Sequence, residues 1–482
     1  MRNLRMRTSR GWPTLMTLAM LLASHVAAAS PIALLGSDTA GFVGQAQQGP
    51  LDTPVLVGGY AQFLSTFGAA TAGLANPYLA PSVAAFFVNG GQHLYVVRVP
   101  GADDASLVGT DGGVPGTRTG LQALRDVPAV AMVAIPGAVS PAVQSAMIAH
   151  CESMGDRVAI LDPGSTNDMN AVITQRAGLS TADGFGALYF PWVLAAPAGD
   201  SLQLPPSGFV AGVMARSTPP TTPTGIITSA TGVTLPLNTT QDGQLSPLGI
   251  DTIRFFTGQG VRVWGGRTLA SNAQWQYLAV RRAGSAITSS IQAGTAWALL
   301  QPNDVTLWTQ LAADMNDFMM NLFAAGWFKG TTPSQAFFVK CDATTMSAQD
   351  LAEGRTVMVV GFAPITASEF IILTIVQQRP STASVTPVAT SFRLDAPHPN
   401  PFTPRTSVAL DLPGSAAVTV HIYDVGGRLV RTLAAGELMP AGHYDLDWDG
   451  RDDAGNRVTA GMYLVRLQAG GRVLTRRVSL VR

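Results

Sequence analysis

The sequence predicts a mixed α/β body with mixed sheets and flanking helices (α+β in detail), followed by a separate all-β, Ig-like sandwich. Three observations carry this. Continuous apolar runs at 130–135 and 158–161 flank a helix-period stretch at 141–154, the pattern of strands covered on both faces around a crossover helix. Farther on, Leu307, Leu311, Met315, Phe318 and Leu322 step by four, four, three and four, an amphipathic helical stripe. Beyond a Pro/Ser/Thr-rich linker at 379–390 the apolar period falls to two and stays there.

Length and composition bound the rest. A chain of 482 residues suggests about two to four domains. Hydrophobic residues make up 47% and charged residues 12%, the latter about half the usual share. Either an Ala/Gly-rich composition or a surface largely covered in an assembly accounts for this. The formal net charge of zero gives no general field for nucleic acid. Lys329 and Lys340 are the only lysines. Cys151 and Cys341 are the only cysteines, too few for a disulfide framework or a Cys-rich zinc site, and both read as buried free thiols.

In chain order, residues 1–29 have the pattern of a secretory signal: Arg2, Arg5, Arg7 and Arg10, an apolar run at 15–23, then small residues at 27–29. The other reading is a set of spurious residues from a misplaced start, and under either the segment stands outside the fold. The body spans 30–378. Small residues at 40–44 form a strand, Gly49 to Pro54 a turn, and 55–57 a second strand. Tyr60, Phe63, Leu64 and Phe67 share one helical face, and a helix at 79–89 ends at Gly90 and Gly91, before a strand at 94–99. Residues 101–120, rich in Gly and Asp, read as an inserted loop. The strand–helix–strand unit at 130–161 is the one feature favouring a nucleotide-binding enzyme. Pro136, Gly137 and Ala138 stand where a Gly-rich phosphate turn would be needed.

An aromatic-rich strand follows at 186–193, then a helix at 209–215 and a Thr/Pro-rich loop or weak hairpin at 217–238. Residues 247–282 read as the packed hub of the body, with paired strands at 261–264 and 275–280 separated by Gly265 and Gly266. Arg281 and Arg282, at the end of the second strand, are expected to be solvated or locally salt-bridged, or to meet an acidic partner. Helical spacing returns at 286–300, and Asn303 or Asp304 caps the helix after it. Strands are expected at 337–341, 356–362 and, most strongly, 369–376. In 391–482, four period-two runs (at Val408, Val418, Tyr444 and Tyr463) are separated by turns such as Gly426–Gly427 and Asp449–Gly450.

Neither lysine stands in a P-loop, the six histidines are scattered without zinc spacing, and no Gly-x-Ser-x-Gly elbow occurs. Asp447, Asp449, Asp452 and Asp453 are the one acidic cluster, read either as a polar hairpin turn or as a calcium loop that Arg451 and Val458 spoil. No catalytic, cofactor or metal residue is therefore assigned.

Five stretches resemble the contractile phage-tail sheath family, which includes the sheaths of contractile injection systems. They are 41–57 (GFVGQAQQGPLDTPVLV), 60–68 (YAQFLSTFG), 86–99 (FFVNGGQHLYVVRV), the hub with its Arg254, Trp264, Arg267, Trp275, Tyr277, Arg281 and Arg282, and 337–378. The resemblance covers about 39–378. It implies a structural subunit, not an enzyme. Such a subunit polymerises helically with itself around an inner tail tube, meets a baseplate, and contracts to drive the tube through a membrane, with no nucleic acid or small-molecule substrate. Extended arms in this family add strands to a neighbour's sheet, which makes Glu369, Phe370, Ile371, Ile372, Leu373, Thr374 and Ile375 the expected inter-subunit strand. The family's N-terminal arm is not visible here. Residues 400–404 (NPFTP), 422–430 (IYDVGGRLV) and 448–455 (WDGRDDAG) resemble the Ig-like domain of flagellar hook-capping proteins and the C-terminal sorting modules of secreted bacterial proteins. Two functions follow. The first is a sheath subunit in a particle assembled in the cytoplasm. The second is an exported surface or binding protein that reuses a sheath-like body.

Overall fold

The computed structural model describes residues 32–69, 72–195, 202–365, 370–378, 392–412, 416–439 and 442–481. The expected signal-like segment and linker, and Glu369, lie outside them. Two compact units divide the described residues: a body through Gln377 apart from Ala348–Arg355, and a C-terminal unit.

The body is built on a nine-stranded sheet. Its early elements are β1 (Ala40–Gly44), β2 (Val55–Val57), α1 (Tyr60–Phe67), α2 (Leu79–Val88), β3 (Leu94–Arg98) and α3 (Asp104–Val108). Then come β4 (Met132–Ala134), α4 (Pro141–Met154), β5 (Val158–Leu161), α5 (Met169–Ala177) and β6 (Gly186–Phe190). Next are β7 (Val193–Ala195), β8 (Leu202–Leu204), α6 (Ser207–Ala215), β9 (Gly225–Ile226), β10 (Ala230–Val233), α7 (Thr239–Leu245), β11 (Ile250–Phe256) and β12 (Gly260–Val263). The sheet order is β2-β3-β1-β4-β5-β6-β11-β12-β9. From β3 to β11 every pairing is parallel, while β2, β12 and β9 close the two edges antiparallel.

Strands β1, β4, β5 and β6 are buried at every residue, which is why they read as unbroken apolar runs. Phe42, Met132 and Ile160 face a core shared with Phe63 and Phe67 of α1, Phe86 of α2 and Phe209 of α6. Val43, Val133 and Ala159 face the opposite core, with Val143, Met147 and Cys151 of α4 and Val172 of α5. Helices α2 and α6 cross closely because α6 offers glycines there: a Cβ on Gly208 would lie 2.5 Å from the Ser82 carbonyl oxygen.

A second layer follows, from α8 (Leu278–Gly294) and α9 (Val305–Ala324) to β13 (Phe337–Lys340), β14 (Arg355–Phe362) and β15 (Ile371–Gln378), the strands ordered β13-β14-β15. Asp304 caps α9, accepting the backbone N–H groups of Thr306 and Leu307, and the stripe Leu307, Leu311, Met315, Phe318 and Leu322 is buried as its spacing requires.

Two expectations need correcting. Residues 275–280 are not a strand: a 3-10 turn at Ala273–Trp275 leads into α8. Their β-prone composition yields to tertiary packing, since the span holds only the end of a 3-10 turn and the first residues of α8, too few to reveal the helical period. The strand pair in the hub is instead β11 with β12. Nor do β9 and β10 form a hairpin: β9 extends the large sheet through β12, and β10 pairs with β7 in a small separate sheet.

The C-terminal unit has strands β16 (Arg393–Leu394), β17 (Thr406–Leu412), β18 (Ala416–Asp424), β19 (Leu429–Met439), β20 (Gly442–Trp448), β21 (Gly461–Ala469) and β22 (Arg472–Leu480). They make antiparallel sheets ordered β16-β17-β20 and β19-β18-β21-β22 around Val408, Leu410, Val420, Ile422, Trp448 and Val465.

Candidate inter-subunit surface

Strand β15 alternates strictly. Ile371, Leu373 and Ile375 are buried against α8, α9 and β14, whereas Ile372, Thr374 and Val376 point outward, with Ile372 60% exposed. Gln377 ties the strand's end to α8, its amide donating to the Gln292 carbonyl at 2.6 Å and to Thr295 Oγ1 at 2.9 Å. On the outer face the Phe338 ring of β13 reaches across the sheet and stacks on Phe370, with centroids 6.2 Å apart. It can do so because Gly361, its partner on β14, has no side chain: a Cβ there would lie 2.0 Å from the ring. Phe338, Phe370, Ile372 and Val376 therefore form an exposed apolar face beside a strand edge that pairs with nothing among the described residues.

The seven hub residues separate into three cation–aromatic groups and one anchor. Arg254 on β11 lies over Phe256 (4.9 Å) and Trp264 (5.7 Å), and 3.8 Å from Asp242 on α7. Trp264 is 46% exposed. Arg267 lies over the Tyr277 ring at 5.3 Å, and its backbone N–H donates to Asp251. Arg281 is clamped between Phe185 and Trp275, at 4.2 and 4.0 Å. Arg282 is the anchor. Its Nη2 donates to the Met214 and Ser217 carbonyls at 2.9 and 2.7 Å, where α6 ends. Neither Arg281 nor Arg282 is solvated, and neither is salt-bridged among the described residues; both lie in α8, 3% and 4% exposed. Burial lowers their pKa values, to about 9 and about 10.

Sequence reasoning passed over Asp251. It sits in a buried strand, register partner of Tyr189, and burial raises its carboxyl to about 8. A lone acid inside an apolar strand run was the available signal. In the C-terminal unit, Asp452 accepts the Asn456 N–H and Asp453 the Thr432 N–H, so these two carboxylates serve turn and strand backbone. Cys151 and Cys341 are buried free thiols.

Comparison with known proteins gives these features a context. Residues 114–269 match the phage tail sheath protein central domain, and residues 400–472 the FlgD Ig-like domain. No curated protein matches the chain. Among solved structures, a chain of the anti-feeding prophage (AFP) baseplate is 21% identical at a TM-score of 0.57, covering 77% of this chain and 100% of that one. A chain of the contracted PVC sheath complex, from an extracellular contractile injection system, is 22% identical at 0.58, covering 76% and 98%. The sheath tail protein Lin1278 from Listeria innocua is 10% identical at 0.50, covering 72% and 96%. The body thus has the fold of contractile-sheath chains, its residues 114–269 matching the phage tail sheath central domain, and it is followed by a FlgD-type Ig-like domain.

Proposed function

We propose that this chain is a structural subunit of a contractile sheath, which polymerises with itself around an inner tube, meets a baseplate, and shortens to drive the tube through a membrane. One observation carries the reading: the body matches sheath chains over 98–100% of their length, two of them from sheaths in the contracted state. The open β15 edge supports it, because a long apolar edge left bare would aggregate and a neighbour's strand would complete it. Phe370, Ile371, Ile372, Leu373, Thr374 and Ile375 are the residues assigned to that contact, with Glu369 preceding them. Work is done by lattice rearrangement rather than catalysis. The domains are assigned as 1–29, 30–378, 379–390 and 391–482, and the particle as assembled in the cytoplasm.

Negative-stain microscopy of the purified full-length chain and of residues 30–378 tests this. Rings or tubes are expected; monodisperse monomers at high concentration from both preparations refute it. A second reading, an exported surface protein with a sheath-like body, is favoured by the FlgD-type domain and the signal-like segment. Recovery outside the cell of protein cleaved after Ala29 supports that alternative. An intact N-terminus in cytoplasmic particles rejects it.

A further inference from the structure

Beside β15 lies an open cavity of 390 Å³ whose walls combine a buried cation with apolar surface. Arg281 lines it together with Phe185, Trp275, Phe370 and Ile372, and the exposed Asp183 stands at its rim. The aromatic clamp covers both faces of the guanidinium, so only its edges remain as donors. One edge is spent weakly: Nη1 donates to the Asp183 carbonyl oxygen at 3.4 Å. Nε is buried without a partner, and among the described residues Nη2 has none either. No carboxylate lies within ion-pairing distance of it among the described residues, although a buried charge ordinarily has one. Gly284, one turn along α8, gives the guanidinium room, for a Cβ there would lie 3.1 Å from Nη2. A planar fork held rigid by two rings, with free in-plane donors, suits a carboxylate.

We propose that this cavity binds a carboxylate flanked by apolar groups, with Arg281 as its counter-charge. The ligand's apolar part packs on Phe370 and Ile372 while its oxygens meet the open guanidinium edge. The carboxylate arrives either as a free organic acid or on an extended acidic peptide lying along β15. Residues 1–37 and 379–394 contain no Asp or Glu, so neither stretch supplies it. The site rests on the geometry of the body and not on the sheath reading.

Calorimetry of the full-length chain with 3-phenylpropionate and its uncharged amide tests the free-acid form. The acid is expected to bind about tenfold more tightly. Arg281→Lys, which keeps the charge but loses the fork, should reduce that preference to about threefold or less. Asp183→Asn, at an exposed position, should tighten acid binding severalfold by removing the opposing charge, and it keeps the test open should the Arg281 variant misfold. Fluorescence anisotropy with two labelled peptides of alternating Thr and Val, one bearing a central Glu and the other a Gln, tests the peptide form. A preference for the Glu peptide alone supports the proposal with the carboxylate on a strand. Preference for the acid with no peptide binding supports it too, while removing β15 as a strand acceptor. Equal affinity within both pairs, or a preference that survives Arg281→Lys unchanged, overturns it.

Discussion

Arg282 ties α8 to the C-terminal end of α6, and its replacement by Met should cost about 3 kcal/mol. Met keeps an unbranched stem of similar bulk, so packing around α8 changes little. The two shortest bonds lost are charge-assisted, 2.9 Å to the Met214 carbonyl and 2.7 Å to that of Ser217, and Nη1 also gives up Ser217 Oγ at 3.0 Å. Bonds of this kind contribute about 1.5–3 kcal/mol each, or about 3–6 together. The favourable placement of a cation at the C-terminal end of α6 disappears with them. Against this, removing a guanidinium whose burial lowers its pKa to about 10 returns part of its desolvation cost. The assay is urea unfolding followed by circular dichroism, where a body of this size should lose about 1 M in its midpoint. The C-terminal unit has its own core, so its transition should stay put and serve as an internal control. A body midpoint lowered by less than about 0.3 M, or equal movement of both transitions, would refute the reasoning.

Asp251→Asn should flatten the body's stability against pH. The carboxyl is raised to about 8, chiefly by burial, from an unfolded value near 4, so the folded state holds its proton more tightly. That contribution is complete below about pH 4 and is lost as pH rises toward 8, at up to about 1.4 kcal/mol per pH unit. Relative to wild type, the Asn variant should therefore gain on the order of 3 kcal/mol between pH 5 and pH 8 in parallel denaturation series; a constant difference would refute this. Ile372→Lys is expected to abolish rings or tubes by sedimentation and microscopy while leaving the body's unfolding midpoint nearly unchanged, because Ile372 is mostly exposed in the single chain. Assembly that survives the substitution would take β15 out of the contact.

Much of this fold was legible because burial and period coincide. The helix Pro141–Met154 and the strand Val158–Leu161 have the bounds expected from sequence, since one is striped and the other covered on both faces. The failure at residues 275–280 lies at a boundary: the end of a 3-10 turn and the first residues of α8 are too short a stretch to show the helical period, and Trp275, Tyr277 and Val280 then read as strand residues. Its consequence is that Arg281 and Arg282, expected at a strand end as solvated, locally salt-bridged or facing an acidic partner, lie buried in α8 instead. The β15 surface was visible as an intensely β-prone run, but Phe338 belongs to it only through Gly361, a pairing across strands that no local pattern carries.

The shortage of lysine acquires a physical meaning at particular sites. Arg157 is fully buried, and its guanidinium serves three neighbours at once: Asp156 at 2.7 Å, the Leu124 carbonyl at 2.8 Å and the Val127 carbonyl at 3.2 Å. A lysine ammonium is a compact point charge on a flexible stem and cannot span those directions; it would also be more strongly hydrated, and so costlier to bury. Arg393, by contrast, makes one exposed ion pair with Asp395 at 2.6 Å, a contact that asks only for positive charge. Arg157→Lys should therefore cost about 2 kcal/mol in the body's unfolding transition, from one or two lost bonds and a carbonyl left buried without its donor. Arg393→Lys should fall within about 0.5 kcal/mol of wild type. Equal costs at the two sites would mean that composition alone, and not the planar fork, governs the choice of arginine here.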